Sequence, residues 1–161
     1  MGEKMFSLSA EGVEFVKKEV KRYETAHSAI IPSLYRVQKE KGWVPPEAVP
    51  YLSQLMGLPQ AHINEVLYFY TMFNKKPVGK LHAQVCTNVS CAMNGGRELA
   101  DHLCKHFNVK PGEVSADGKI TVSKVECLGS CGTAPMMQVN DQYIENLTPE
   151  TAVRKLKEMG A

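Results

Sequence analysis

The stretch VCTNVSCAMNGG, residues 85–96, sets Cys86 and Cys91 five positions apart in a run of small and polar residues. A second stretch, VECLGSCGTAPMM (125–137), does something similar with Cys127 and Cys131. Both pairs fall at the ends of predicted strands, in loops with glycines at 95, 96, 129 and 132, and not on an apolar helix face. That placement argues against cysteines acting as small core hydrophobes. Structural disulfides need an oxidising compartment. The start, MGEKMFSLSAEGVEF, has neither the apolar segment nor the small-residue cleavage site of a secretory signal, so a reducing bacterial cytoplasm is expected. Nor is C-x4-C the C-x-x-C redox pair.

These points lead to a metal centre, because four thiolates from two loops can meet at a soft site. Zinc and iron–sulfur both accept four thiolates, and spacing alone leaves zinc open. A [2Fe–2S] cluster takes two ligands per iron, which two cysteine pairs satisfy directly. Glycine-rich loops also let backbone N–H groups approach the sulfurs and offset their charge. The candidate ligands, for either metal, are Cys86, Cys91, Cys127 and Cys131.

Upstream of these loops the chain reads as helices. In SAEGVEFVKKEVKRY, Val13, Val16, Val20 and Tyr23 recur on one face, with Ser9 as cap. HSAIIPSLYRVQKEKG repeats the pattern through Ile30, Leu34 and Val37 and stops at Gly42, and Pro32 is tolerable near its first turn. A third helix fits PPEAVPYLSQLMG, with Pro46 at the first position and Gly57 at the end. The fourth, PQAHINEVLYFY, puts Ile63, Val66, Leu67 and Tyr70 on one side. After the polar NKKPVGK (74–80), the order is strand (KLHAQVC), helix (GRELADHLCKHF), strand (DGKITVSKVEC), hairpin (PMMQVNDQYI, turning at Asn140-Asp141) and helix (TPETAVRKLKEMG, capped by Thr148 with Pro149 first). The expected fold class is α+β: a helical domain over 1–75, then an α/β domain over 76–161.

Composition bounds the function. The 161 residues carry 19 basic and 17 acidic side chains, a net +2 too weak and too evenly mixed to favour nucleic acid as a partner. No segment approaches the ~18 uninterrupted apolar residues of a membrane span, so no direct membrane insertion is expected. Met1-Gly2 invites a myristoylation reading, but Phe6 stands where that motif needs Ser or Thr.

VCTNVSC, VECLGSCGTAPMMQVND and the upstream EVLYFYTMFNKKPVGK resemble the [2Fe–2S] E-type, or 24-kDa, subunit family of respiratory NADH:quinone oxidoreductase, or complex I. The likeness runs over nearly the whole chain. One departure is Ser90, where the family often has proline, and it leaves the cysteine spacing unchanged. The resemblance implies a thioredoxin-like α/β domain with a mixed sheet, holding one [2Fe–2S] cluster on Cys86, Cys91, Cys127 and Cys131. It implies a larger partner subunit carrying FMN and binding NADH, other peripheral-arm subunits, and a cytoplasmic position peripheral to the inner membrane. It also implies a cluster off the main electron path, with a storage role. The chain has no GxGxxG fingerprint, so nicotinamide and flavin are expected on the partner. The rival readings are the equivalent subunit of an NAD-linked hydrogenase or formate dehydrogenase, a redox-inert zinc module, and a free-standing ferredoxin.

Other candidates carry plainer expectations. Cys104 reads as a packed thiol, His102 and His106 as a solvent-facing pair, and His27, His62 and His82 as isolated. The aromatics of LYFYTMF (67–73) suit core packing or a partner surface. Met136 and Met137 suit strand positions that exclude water from the cluster. Pro135 stands where thioredoxin-like folds use a cis-proline, and Lys124 and Arg97 are expected near the cysteines.

Overall fold

The computed structural model describes residues 6–161, so the reading made at Met1 and Gly2 lies outside the described residues. The chain forms two compact units, one running to Pro77 and the other spanning Val78–Ala161.

The first unit is all helical. Helix α1 (Ala10–Arg22) starts where the Ser9 hydroxyl accepts the Gly12 N–H, satisfying one of the donors that every helix start leaves open. A short 3-10 turn (Ala26–Ala29) leads into α2 (Ile30–Lys41). Pro32 sits in the first turn of α2, where its missing N–H costs nothing, and Gly42 closes the helix at φ 81°. Helix α3 (Ala48–Met56) begins two residues later than Pro46 suggests: Pro45 and Pro46 form the preceding turn, their carbonyls accepting the N–H groups of Ala48 and Val49. Helix α4 is Gln60–Phe69.

Val16, Ile30, Leu34, Leu52, Ile63 and Phe73 are fully buried together, each worth about 1.5–3 kcal/mol on leaving water. Tyr23, expected on the same face as Val16, lies past the end of α1 and is exposed. The LYFYTMF segment divides: Leu67 and Phe73 are core, and Tyr68 and Phe69 are exposed. The chain leaving α4 is tied to α2 by Gln38, which accepts the Asn74 N–H and donates to the Met72 carbonyl.

A polar knot holds α1 to α2. The Glu40 carboxylate accepts the Ser9 N–H at 2.9 Å, the Ser9 hydroxyl at 2.7 Å and Arg36 Nε at 2.8 Å. Burial pushes the Glu40 carboxyl up, but the hydrogen bonds from Ser9 and the charge of Arg36 outweigh it and hold the group at about 2. A depressed carboxylate pKa stabilises the fold above the ordinary carboxylate range, and that stability is lost as pH falls towards the folded value. Glu40→Gln should cost the helical unit about 1–2 kcal/mol at neutral pH and flatten its loss of stability between roughly pH 4.5 and 2. Denaturant melts followed by the fluorescence of Trp43, the one tryptophan, measure this.

The second unit is built on a four-stranded mixed sheet in the order β2-β1-β3-β4. Strand β1 (Leu81–Cys86) pairs in parallel with β2 (Ile120–Val125) and antiparallel with β3 (Met137–Val139), which turns into β4 (Gln142–Ile144). The α+β class with a mixed sheet is thus as expected. Being central, β1 is buried at His82 and Cys86 as well as at Leu81, Ala83 and Val85, so the half-buried alternation read from the sequence is incomplete.

Between β1 and β2 run a short helix, α5 (Val89–Met93), and a longer one, α6 (Gly96–His106). Helix α6 and the last helix, α7 (Pro149–Glu158), pack Leu99, Ala100, Leu103, Ala152 and Leu156 into the core that the sheet shares. Thr148 caps α7 through a capping box with Thr151, and Pro149 takes the first position, both as read. In the hairpin turn Asn140 adopts φ 52°, and its side chain accepts the His82 N–H and donates to the Lys80 carbonyl. Among the described residues no helix is long and apolar enough to cross a membrane.

Candidate metal centre

Two strand ends deliver the cysteines. Cys86 is the last residue of β1, buried at 3% exposure, and its N–H donates to the Met136 carbonyl. The next segment is not the open loop expected from its glycines. It is helix α5, capped by the Asn88 side chain, and Cys91 faces inward from it at 2% exposure. Cys86, Cys91 and the fully buried Met136 make one small core, with Leu128 and Ala134 packed on it. Met136 therefore shields sulfur from water, as anticipated, whereas Met137 belongs to the larger core beneath the sheet.

The ends of β1 and β2 are joined by Thr87, whose N–H and hydroxyl both donate to the Val125 carbonyl. Beyond β2, Cys127 and Cys131 are exposed with their sulfurs 3.5 Å apart. The Gly129 N–H points at the Cys127 sulfur, 3.4 Å away, in a turn that needs φ 84° at Gly129. Gly96 serves differently. A Cβ there would meet the Cys86 carbonyl oxygen at 2.6 Å and the Cys91 carbonyl oxygen at 2.8 Å, so α6 begins pressed against both backbones. Gly132 has open space around it and an ordinary φ.

The sulfurs sense one another. Burial pushes the Cys91 thiol up, the hydrogen bond with Cys86 pushes the same way, and the charges of Cys86 and Cys131 add to it; a backbone hydrogen bond at Met136 opposes them. Cys131 is raised by its hydrogen bond with Cys127, then by the charges of Cys127 and, more weakly, Cys86. Thiolates that resist forming together are those a bound cation would stabilise. The thiols come as two pairs, Cys86 with Cys91 and Cys127 with Cys131. This donor set fits a two-iron centre that takes two sulfurs per iron.

Sequence reasoning misplaced or missed several groups. Lys124 is paired with Asp101 at 2.6 Å, and its charge lowers the Cys104 thiol against the burial that raises it. His27 and His62 are not isolated: Nε2 of one lies 2.6 Å from Nδ1 of the other. His82 meets the Ser123 hydroxyl at 2.9 Å, and burial holds its imidazole below the ordinary range. Cys104 is buried, as expected, and its thiol is raised by that burial. The Ala134-Pro135 bond is cis. Two polar groups that tie down the Cys127–Cys131 segment had no signal in the sequence: Ser90 in α5, whose hydroxyl donates to the Cys131 carbonyl at 3.0 Å, and Glu145, just beyond β4, which accepts from Ser130 and Thr133.

Residues 16–160 match the model of the family described as thioredoxin-like [2Fe–2S] ferredoxin. The chain is also 43% identical over 138 residues to NADH-quinone oxidoreductase subunit 2 of Thermus thermophilus, covering 84% of this chain and 76% of the relative. With the E subunit of the NADH-quinone oxidoreductase of Rickettsia bellii it shares 39% identity over 148 residues, 90% of this chain and 89% of the other. The chain belongs to the thioredoxin-like [2Fe–2S] ferredoxin family, together with these NADH-quinone oxidoreductase subunits.

A crystal structure of an NAD+-reducing [NiFe]-hydrogenase in its air-oxidised state superposes with a TM-score of 0.68 at 22% identity, over 82% of this chain. At that identity the likeness is one of fold, and the chain spans only 23% of the hydrogenase chain. As a ferredoxin of this family the protein has a [2Fe–2S] cluster as its cofactor.

Proposed function

We propose that the chain is the E-type electron-transfer subunit of an NADH:quinone oxidoreductase, with Cys86 and Cys91 holding one iron and Cys127 and Cys131 the other. When bound, such a cluster supplies one-electron chemistry, taking an electron from the FMN of a larger partner subunit that also binds NADH. The observation that carries this reading is the two-pair arrangement of thiols at the ends of β1 and β2, in a chain whose relatives are that complex's subunit.

The chain's own residues do the rest. Met136, with Leu128 and Ala134, keeps water from the buried pair, and the Gly129 N–H offers a hydrogen bond to the Cys127 sulfur on the exposed side. Such N–H···S bonds offset thiolate charge and raise a cluster's potential. A helical domain over 1–75, a cluster domain over 76–161, and a cytoplasmic site on the peripheral arm of the complex belong to the same proposal.

The test is anaerobic purification followed by metal analysis, visible absorption and EPR. About two irons and two sulfides per chain, with an EPR signal on reduction, are expected. A colourless protein with a single zinc would overturn the assignment.

A further inference from the structure

The Cys127–Cys131 loop is the less protected half of the centre. It is exposed and belongs to no strand or long helix, so its shape depends on a few hydrogen bonds. Three fastenings reach the backbone of residues 127–133 from elsewhere: Tyr143 Oη–H donates to the Leu128 carbonyl at 2.6 Å, Ser90 Oγ–H to the Cys131 carbonyl at 3.0 Å, and the Asn146 N–H to the Thr133 carbonyl at 2.9 Å. The fourth is of another kind. Glu145, one residue beyond β4, accepts the Ser130 hydroxyl and, at 2.7 Å, the Thr133 hydroxyl on the same carboxylate oxygen, Oε1. Ser130 and Thr133 bracket Cys131, and their own hydroxyls lie 2.7 Å apart. The turn that presents Cys131 is therefore strapped across its mouth to the hairpin, while Ser90 holds its carbonyl to the helix that carries Cys91.

From this geometry we propose that Glu145 is a positioning residue for Cys131 and that its negative charge makes electron uptake at this site less favourable. The inference rests on the ligand assignment proposed above. Reduction adds one electron, and hence one negative charge, to a site with a carboxylate tied to its ligand loop, so removing that charge eases reduction. Glu145 is ionised throughout the neutral range, because the hydroxyls of Ser130 and Thr133 hold its carboxyl below the ordinary carboxylate value. Glu126, beside Cys127, accepts instead from the Asn88 side chain at the start of α5 and makes no bond to Ser130 or Thr133.

Glu145→Gln and Glu145→Ala separate the two roles. Glutamine keeps a carbonyl oxygen that can accept both hydroxyls and loses only the charge; alanine loses both. The full chain, wild type and variants, is titrated with dithionite under EPR, and the metal-free chain is followed by hydrogen exchange at residues 129–133.

Glu145→Gln should move the midpoint potential in the positive direction with exchange near wild type. Glu145→Ala should show the same positive shift with exchange about tenfold faster, as expected for the loss of a hydrogen bond worth roughly 1.4 kcal/mol. Ser90→Ala should quicken exchange without the charge effect. An unmoved potential in Glu145→Gln overturns the electrostatic role, and unchanged exchange in Glu145→Ala overturns the positioning role. Should wild type bind no iron, the ligand assignment falls, while the exchange comparison still decides whether Glu145 straps the turn.

Discussion

Cys91→Ser is expected to lose most of its iron, and Cys131→Ser to keep a coloured but spectrally altered centre. The asymmetry comes from burial. Cys86 and Cys91 are 3% and 2% exposed and share their pocket with Met136, whereas Cys127 and Cys131 open to solvent. Serine offers a harder, more basic oxygen in place of a soft thiolate, which weakens any iron bond equally on either side. On the buried side the hydroxyl must also give up water among apolar neighbours, a cost of about 1–3 kcal/mol if it stays unpaired. On the exposed side water meets that need, and the loop keeps its ties to Ser90, Tyr143 and Glu145. Iron per chain in Cys86→Ser and Cys91→Ser should therefore fall below that in Cys127→Ser and Cys131→Ser. Cys104→Ser, outside both pairs, should match wild type. Full iron and an unshifted spectrum in Cys91→Ser would remove that residue from the ligand set.

The legible and the hidden parts of this protein divide by how far apart the interacting residues lie. The order of elements from β1 to α7 was readable because each is specified locally: Thr148 and Pro149 start a helix within one turn, and Asn140 bends a two-residue hairpin. Helix α5 was hidden because VSCAM has only five residues, too few to show a period, and forms through the Asn88 cap and the packing of Cys91 on Met136. The boundary of α3 slipped because Pro46 suits a first helical position, whereas the chain uses Pro45 and Pro46 together as a turn before the helix. His27 and His62 looked isolated since 35 positions separate them, and only the folding of the helical unit brings them together. Glu145 gave no sign for the same reason: its partners stand 12 and 15 positions upstream, across a strand pair. The two cysteine pairs were visible as close neighbours in the sequence, but the difference between them, one pair buried at the end of β1 and in α5 and the other exposed beyond β2, was not.

Gly96→Ala should be the most damaging single-methyl change among the four glycines of the cysteine segments, 95, 96, 129 and 132. The glycines of the cysteine loops look equivalent in the sequence, and all four invite the same explanation, that a bare backbone lets N–H groups reach sulfur. Gly129 fits that explanation, since its N–H lies 3.4 Å from the Cys127 sulfur. Gly96 does not, because what crowds it is carbonyl oxygen, from Cys86 at 2.6 Å and from Cys91 at 2.8 Å. Those oxygens belong to backbone, at the end of the central strand and inside α5, and cannot swing aside as a side-chain tip can. An added methyl must drive α6 away from the strand end or spread the backbones that carry Cys86 and Cys91. Overpacking of this kind costs about 1–3 kcal/mol, and here the displacement falls on two proposed ligands as well. Gly96→Ala should lower the melting temperature of the metal-free chain and reduce iron incorporation several-fold. Gly132→Ala, with nothing within 4 Å of the new methyl, should change neither. Equal behaviour of the two variants in calorimetry and iron analysis would mean that close contact at Gly96 does not set the geometry of the buried cysteine pair.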